Sequence, residues 1–332
     1  MDLTWTGNQF LDQQHSLAVH MSAAQIDYTT KDDVWSETLA QEIEKYCDLP
    51  KNYVRVAAGA TQLIEACLRA LYRAQIVDVI PNFHLTATLA RQEKWNYVSV
   101  PVRFPEELEP ALTPYFEQED TLIVLSSPRN PICYQFPLDI LRRVAKHCKG
   151  YLIVDEVYAD FASHSMLDFL QQHPNVIVMR TFSKAWGLAN LRVGYAASAM
   201  FAEKKTALHL IPNAVAGVSQ RAARFVLQHP EAVRVSIAQT RACTQEFIKQ
   251  FQQIEGMFVW PSDANYICVE TPHAHVLAKV LDELGYKVRE LHDLKGYPAE
   301  WPQGLRITTP PQKDIDVIMQ CIRSSLKQIG KP

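Results

Sequence analysis

The chain has 332 residues, 48% of them hydrophobic and 21% charged, and a formal net charge of -3. That length is too great for one small core and fits one large or two modest domains, and the charge balance excludes a general electrostatic affinity for nucleic acid. No apolar stretch approaches the roughly 18 residues of a membrane span, the opening MDLTWTGNQF lacks the basic and apolar regions of a signal peptide, and seven cysteines without CxxC spacing read as reduced thiols of a cytoplasmic protein.

The first thirty or so residues show little periodicity and read as an arm. From about 53 to 183, short apolar runs alternate with amphipathic stretches. The runs are NYVRVAAG (52–59), IVDVIP (76–81), YVSVPV (97–102), TLIVLSS (121–127), YLIVDEV (151–157) and VIVMRTF (176–182). Helix-like segments such as 60–74 and 138–149 lie between them. Such alternation argues for βαβ units, and continuous rather than alternating apolar runs fit strands buried on both faces of a mainly parallel sheet. Past about 220 the texture changes. One long helical stretch, 219–253, leads to short strands in NYICVE, YKVREL and GLRITT and to helices over 273–284 and 312–328. The expected division is an arm over 1–29, a large domain over 30–225 and a smaller α+β domain over 226–332.

Four polar signals fall at or just past predicted strand ends: Gly59-Ala60-Thr61-Gln62, Asn130-Pro131, Asp155-Glu156-Val157-Tyr158 and Ser183-Lys184. Singly they are ordinary. Asp155 could cap a helix or pair with an arginine, Gly59-Ala60 could be a tight turn, and Asn-Pro is a common turn dipeptide. Together they converge on the sheet edge where this architecture binds ligands. Lys184 also has an apolar strand before it, Trp186 two places on and Arg192 eight places on. One chemistry uses these parts jointly, that of pyridoxal 5'-phosphate (PLP). It needs a lysine amine for a Schiff base, an acid against the pyridine nitrogen, and a helix N-terminus with an arginine for the phosphate. Lys184, Asp155, the 59–62 turn with Arg192, and Phe83 as a stacking ring can fill those places.

The run SKAWGLANLRVG (183–194) matches a family pattern of SK-aromatic-GL followed by LRxG. With Asp155-Glu156-Val157-Tyr158, Ser262-Asp263-Ala264-Asn265-Tyr266-Ile267 and Leu305-Arg306-Ile307-Thr308 in the same order, the chain resembles the fold-type-I PLP aminotransferases over nearly its whole length. Within them it is most similar to the histidinol-phosphate aminotransferase branch. The resemblance implies an α/β fold. A large PLP-binding domain would have a mainly parallel central sheet flanked by helices, beside a smaller C-terminal α+β domain and an N-terminal arm. It implies that Lys184 forms the Schiff base and shuttles the proton, that Asp155 pairs with the ring nitrogen, and that Tyr158 and Asn130 bond the ring hydroxyl. Ser183, Arg192 and the backbone at Ala60 and Thr61 would hold the phosphate, and Phe83 would stack on the ring. Arg306 would bind the substrate's anion, with Arg289, and Asn8 would touch substrate. Tyr28 would reach the cofactor of a neighbouring subunit, making a cytoplasmic homodimer with shared sites that serves amino-acid biosynthesis. Its partners would be a small amino donor and a 2-oxo acid, with neither nucleic acid nor membrane.

Several positions depart from the family pattern. Asn130-Pro131-Ile132-Cys133 stands where relatives have Asn-Pro-Thr-Gly, Thr61-Gln62 replaces an acidic pair, Asn190 replaces a glycine, and Thr309-Pro310-Pro311 replaces a Val-Gly pair. They touch substrate choice rather than PLP. A threonine-phosphate decarboxylase activity is the alternative, and a catalytically silent binding protein a third reading, opposed by the intact Lys184, Asp155, Tyr158 and Arg192. His273-Ala274-His275 opens a helix with its rings diverging, so no metal is expected.

Overall fold

The computed structural model describes residues 1–24, 33–202, 208 and 210–329. The chain enters extended, with Asp2 in a parallel bridge to Lys287 and Leu3 N–H donating to Lys287 O at 2.8 Å. A helix follows, α1 (Gln13–Ala23), capped by Asp12, which accepts from His15 N–H. The stretch QQHSLAVHMSA has no apolar stripe, so periodicity does not reveal this helix.

Next come α2 (Glu37–Tyr46), β1 (Val54–Ala57), α3 (Gly59–Leu71), β2 (Gln75–Ile80), α4 (Leu85–Gln92), β3 (Tyr97–Pro101), α5 (Leu108–Leu112) and β4 (Thr121–Ser126). After these lie α6 (Leu138–His147), β5 (Tyr151–Asp155), β6 (Val176–Thr181) and β7 (Gly194–Ala197). The seven strands form one sheet in the order β1-β7-β6-β5-β4-β2-β3. The pairs β2–β3, β2–β4, β4–β5 and β5–β6 are parallel; β7 is antiparallel to both neighbours. All six predicted strands form, β4 buried along its whole length. The seventh is not predicted. GYAA is short and poor in β-branched residues, and pairing with β1 and β6 overrides its weak local preference. One apolar cluster covers each face of this sheet, with Val56, Ile123, Val154 and Val178 on one side and Leu63, Ile76, Leu122 and Ile153 on the other.

The predicted helix over 219–253 is two helices, α7 (Gly217–Gln228) and α8 (Glu231–Gln252). Pro230 lacks the N–H that a continuous helix needs and disfavours helical backbone at His229, found at φ -127° and ψ 63°. The rest comprises β8 (Phe258–Val259), β9 (Tyr266–Glu270), α9 (Ala274–Glu283), β10 (Arg289–Glu290), β11 (Gly304–Thr308) and α10 (Gln312–Ile329). Of the strand expected in YKVREL only Arg289 and Glu290 join the smaller sheet, while Lys287 bridges Asp2. These strands make an antiparallel sheet, β10-β11-β9-β8. Its core contains Phe247, Phe251, Ile267, Leu281, Ile315 and Ile322, and Leu3 lies within it, fully buried. Each such side chain contributes roughly 1.5–3 kcal/mol by leaving water. Burial of Leu3 therefore anchors the chain's opening residues on the smaller sheet, and residues 4–6 run from there toward the carboxyl ends of β4, β5 and β6.

Candidate active site

Ser126, Asp155 and Thr181 occupy the last positions of β4, β5 and β6. These ends floor a cavity of about 590 Å³, whose walls include Ala60, Thr61, Phe83, Asn130, Tyr158, Ser183, Lys184, Arg192, Arg289 and Arg306. Eleven of the thirteen expected site residues thus line one space. Asn8 does not line it. Its Nδ2 donates to Ala185 O at 2.7 Å and Ser236 Oγ at 2.8 Å, and its Oδ1 accepts from Phe10 N–H, so it ties the entering chain to the Lys184 loop and α8. Tyr28 lies outside the described residues. A second cavity, of about 620 Å³ beside α2 and β1, is lined by none of these residues.

The loop between β6 and β7 presents Lys184. Phe182 N–H donates to Val193 O and Leu188 N–H to Phe182 O, closing the excursion on itself. The Lys184 ammonium donates to Thr6 Oγ1 at 2.7 Å and stands 4.4 Å from the centre of the Trp5 ring. Thr6 Oγ1 is in turn 2.8 Å from the Tyr158 hydroxyl. Asp155 is buried and accepts one hydrogen bond, from Val157 N–H at 3.2 Å. Burial pushes its carboxyl up from 3.8 to about 6, opposed by the Val157 N–H and the Lys184 charge and assisted by Glu156. Ser126, opposite Asp155 in register, is buried, and its hydroxyl has no partner among the described residues.

Across the floor, the N-terminus of α3 opens beside Arg192. Gly59 has φ +81°, and a Cβ there would lie 2.5 Å from Arg192 Nη2, so only glycine lets the guanidinium sit against this helix end. Arg192 itself is in the left-handed region at φ 51°, and its Nη1 is 3.4 Å from Ser183 Oγ. Gln62 accepts from Ala58 N–H, which leaves the Ala60 and Thr61 end of the helix facing the cavity. Backbone N–H groups, a guanidinium and a hydroxyl together form an anion cradle.

The opposite wall belongs to the smaller sheet. Arg306 on β11 is buried. It donates from Nη1 to Asn130 Oδ1 at 2.8 Å and from Nη2 to Thr4 O at 2.7 Å, while its Nε has no partner among the described residues. Arg289 on β10 faces it in register. Like charges directly opposite across strands repel, so the pair favours an anion between them, and Lys295 lines the same wall. Phe83 is fixed from behind. Its N–H donates to Asn82 Oδ1, and Asn82 Nδ2 donates to Asp78 on β2 at 2.8 Å. The fully buried Arg129 donates to Ile80 O and to Val102 O, clamping the carboxyl ends of β2 and β3 next to Asn130. Among the described residues no cluster of three or more His, Cys, Asp or Glu side chains is placed to hold a metal ion, and His275 is 2.9 Å from Glu290.

Thr4, Trp5, Thr6, Ser126 and Lys295 line the cavity without any signal in the sequence pattern. Thr6 and Ser126 are single hydroxyls, and a single hydroxyl carries no period or motif.

The residues fit PLP. A buried acid that feels the lysine's charge, an anion cradle that a Cβ at residue 59 would fill, and a hydroxyl with no partner among the described residues line the same cavity. A parallel sheet with a lysine, an acid and an arginine at its carboxyl edge is the layout of a PLP-dependent transferase of fold type I. The chain belongs to the aminotransferase class I and II family, whose model matches residues 29–322. The histidinol-phosphate aminotransferase of Thermococcus kodakarensis is 30% identical over 264 residues, 77% of this chain and 74% of that protein. Two solved structures share the fold. The histidinol-phosphate aminotransferase of Sinorhizobium meliloti in complex with pyridoxal-5'-phosphate has a TM-score of 0.81 at 22% identity, covering 97% of this chain and 91% of that one. The L-threonine-O-3-phosphate decarboxylase of Porphyromonas gingivalis has a TM-score of 0.84 at 19% identity, covering 98% and 99%. PLP is accordingly the cofactor of this transferase.

Proposed function

We propose that the enzyme moves an amino group between an amino acid or amino-phosphate, histidinol-phosphate-like, and a 2-oxo acid. The observation that carries the reading is the convergence of Lys184, Asp155, Tyr158 and Arg192 with the facing arginines Arg289 and Arg306 on one cavity. Bound PLP supplies an electron sink for the carbanion left when the substrate's Cα–H bond breaks. Lys184 Nζ takes and returns that proton. Asp155, buried at the floor, would set its carboxylate against the ring nitrogen and keep the proton on that nitrogen. Tyr158 and Asn130 offer donors beside the lysine, Phe83 walls one face, and Ser183, Arg192, Ala60 and Thr61 cradle a phosphate. Arg306 and Arg289 fix the substrate's own anion and so orient which bond is broken. The positively charged wall of Arg306, Arg289 and Lys295 suits a substrate that is anionic away from its amine.

The test is direct. L-histidinol phosphate and 2-oxoglutarate are incubated with the PLP-loaded enzyme and L-glutamate is measured. L-threonine phosphate is run beside them, with CO2 as the readout. Glutamate without CO2 supports amino transfer; CO2 release from threonine phosphate without glutamate formation overturns it in favour of decarboxylation.

A homodimer with shared sites belongs to the same proposal, supported by the exposed apolar side chains of Leu17, Met21, Trp35 and Ile211. So does a cytoplasmic location, supported by seven free cysteines. Among the described residues no helix is long and apolar enough to cross a membrane.

A further inference from the structure

Lys184 has to hold and release a proton, and its partner decides whether it can be held in both states. Among the described residues no carboxylate forms an ion pair with it. Asp155 acts on it only through space. Its hydrogen bond goes to Thr6 Oγ1 at 2.7 Å, and the same oxygen lies 2.8 Å from the Tyr158 hydroxyl. Thr6 is 3% exposed, and its position is fixed by the backbone on either side. Asn265 Nδ2 donates to Thr6 O and Gly7 O, Thr308 Oγ1 donates to Trp5 O, and Arg306 holds Thr4 O. The hydroxyl is therefore held at the lysine by a frame built from the smaller sheet.

The geometry points to Thr6 as a positioning residue that keeps the Lys184 amine in place through its change of protonation. A hydroxyl is at once one donor and two acceptor sites. Facing the ammonium, Thr6 accepts from Nζ–H and turns its own proton to the Tyr158 oxygen. Facing the neutral amine, it turns that proton to the Nζ lone pair and accepts from the Tyr158 O–H. No covalent bond forms or breaks; two O–H rotors turn. A carboxylate in this position would favour the charged state alone, and a carbonyl could not donate to the neutral one. The Trp5 ring, with its centre 4.4 Å from Nζ, walls a further side and leaves the amine open to the cavity.

This inference rests on the assignment of Lys184 as the reacting amine, and its test separates the two. Thr6→Val keeps the shape and removes the hydroxyl; Thr6→Ser keeps the hydroxyl. The first measurement uses apo-protein and needs no substrate. Thermal unfolding is compared for the parent, Thr6→Val, Lys184→Met and the double variant. Residues in one hydrogen-bond network are non-additive, so the Tm shift caused by Thr6→Val is expected to be smaller in the Lys184→Met background. An identical shift in both backgrounds overturns the contact. The second measurement uses the PLP-loaded enzyme with L-histidinol phosphate and 2-oxoglutarate. Misplacing a reacting group costs about tenfold to a hundredfold in rate, so Thr6→Val is expected to lower kcat by that factor with KM nearly unchanged. The isotope effect with α-deuterated substrate should rise, because proton transfer becomes slower. Thr6→Ser should restore both. A fall confined to KM, or a Thr6→Ser variant as slow as Thr6→Val, overturns the positioning role. If Thr6→Val does not fold, Thr6→Ala makes the same comparison. A parent enzyme inactive on this substrate pair would count against the proposed function alone, leaving the apo cycle to decide Thr6.

Discussion

Asp155 and Asp78 are both buried acids whose carboxyls burial pushes up to about 6, yet they do different work. Asp155 lines the cavity and has one hydrogen bond; Asp78 lies behind it and has two, from Asn82 and the Tyr97 hydroxyl. Asp155→Asn should therefore cost turnover far more than stability. Loss of a preorganised electrostatic partner is worth about 10²–10³ in kcat, while the apo-protein's Tm should not fall, because the amide needs no proton. Near-normal kcat would show that another group faces the cofactor ring. For Asp78 the expected effect is on stability. Its folded value lies above the unfolded 3.8, so its contribution is complete below about pH 4 and is lost as pH rises through about 6. That difference corresponds to on the order of 3 kcal/mol. Relative to the parent, Asp78→Asn should gain about 2 kcal/mol of stability between pH 4.5 and pH 7.5, the first part of the loss falling below pH 4.5. Urea midpoints at the two pH values test it; a pH-independent difference between the proteins would refute the account. Lys184→Ala should abolish turnover and leave PLP bound without a covalent link, since the cradle and floor belong to other residues. Borohydride reduction of the parent with peptide mapping should label Lys184, and a label on any other lysine would remove the assignment. That Lys184, Asp155, Tyr158 and Arg192 share one cavity is legible in the sequence, because each lies at or shortly past a predicted strand end. Thr6 is not, because its place depends on Asn265, Arg306 and Thr308, far away in the chain.

The N-terminal turn of α3 shows how an element becomes a binding group. Gly59 is needed twice, for its left-handed backbone and for the approach of Arg192. Gly194, at the start of β7, is packed as tightly, since a Cβ there would lie 2.7 Å from Ala60 N. In Gly59→Ala the clash is with the mobile end of Arg192, which can swing aside, so stability should fall by about 1 kcal/mol from the left-handed backbone. Anion affinity should fall further, because both halves of the cradle move apart. Titration of apo-protein with PLP measures this, and unchanged affinity would show that the phosphate lies elsewhere. Among elements, strands with continuous apolar runs were legible, while β7 was not, because its pairing rather than its composition makes it a strand. The break between α7 and α8 had a local signal in His229-Pro230 that the longer helical period masks. Cys133 illustrates the reverse. It replaces a glycine of the family pattern and still adopts φ 63°, with its N–H on Arg129 O, so the backbone shape of that turn outlives the residue that makes it easy.

At the scale of the whole molecule, the site is assembled from both sheets and from the chain's opening residues, so no single segment could have announced it. The sequence pattern separated the two textures near residue 220, and we propose the division at 225/226 on that ground. It did not reveal that Leu3 belongs to the core of the smaller sheet, since one leucine carries no period. If the sites are shared, PLP should shift the protein toward a dimer by mass action, as any ligand does that binds the assembled state more tightly. Sedimentation of apo and PLP-loaded protein checks this; a fully active monomer would exclude shared sites.

The position of β7 has a consequence for the order in which the molecule can be made. β1 is the first strand to leave the ribosome, but among the described residues its only neighbour in the sheet is β7, the last strand of that sheet to be synthesised. Until Gly194–Ala197 emerges, Val54–Ala57 has no strand to pair with, and α3, whose N-terminus carries half of the anion cradle, has no fixed seat against the Arg192 loop. The parallel strands β2 to β6 can pair with one another before that point. The cradle's two halves are thus joined by the step that completes the sheet, so a nascent chain halted before residue 194 would carry Lys184, Asp155 and Arg192 without β7 to hold the α3 N-terminus beside that arginine.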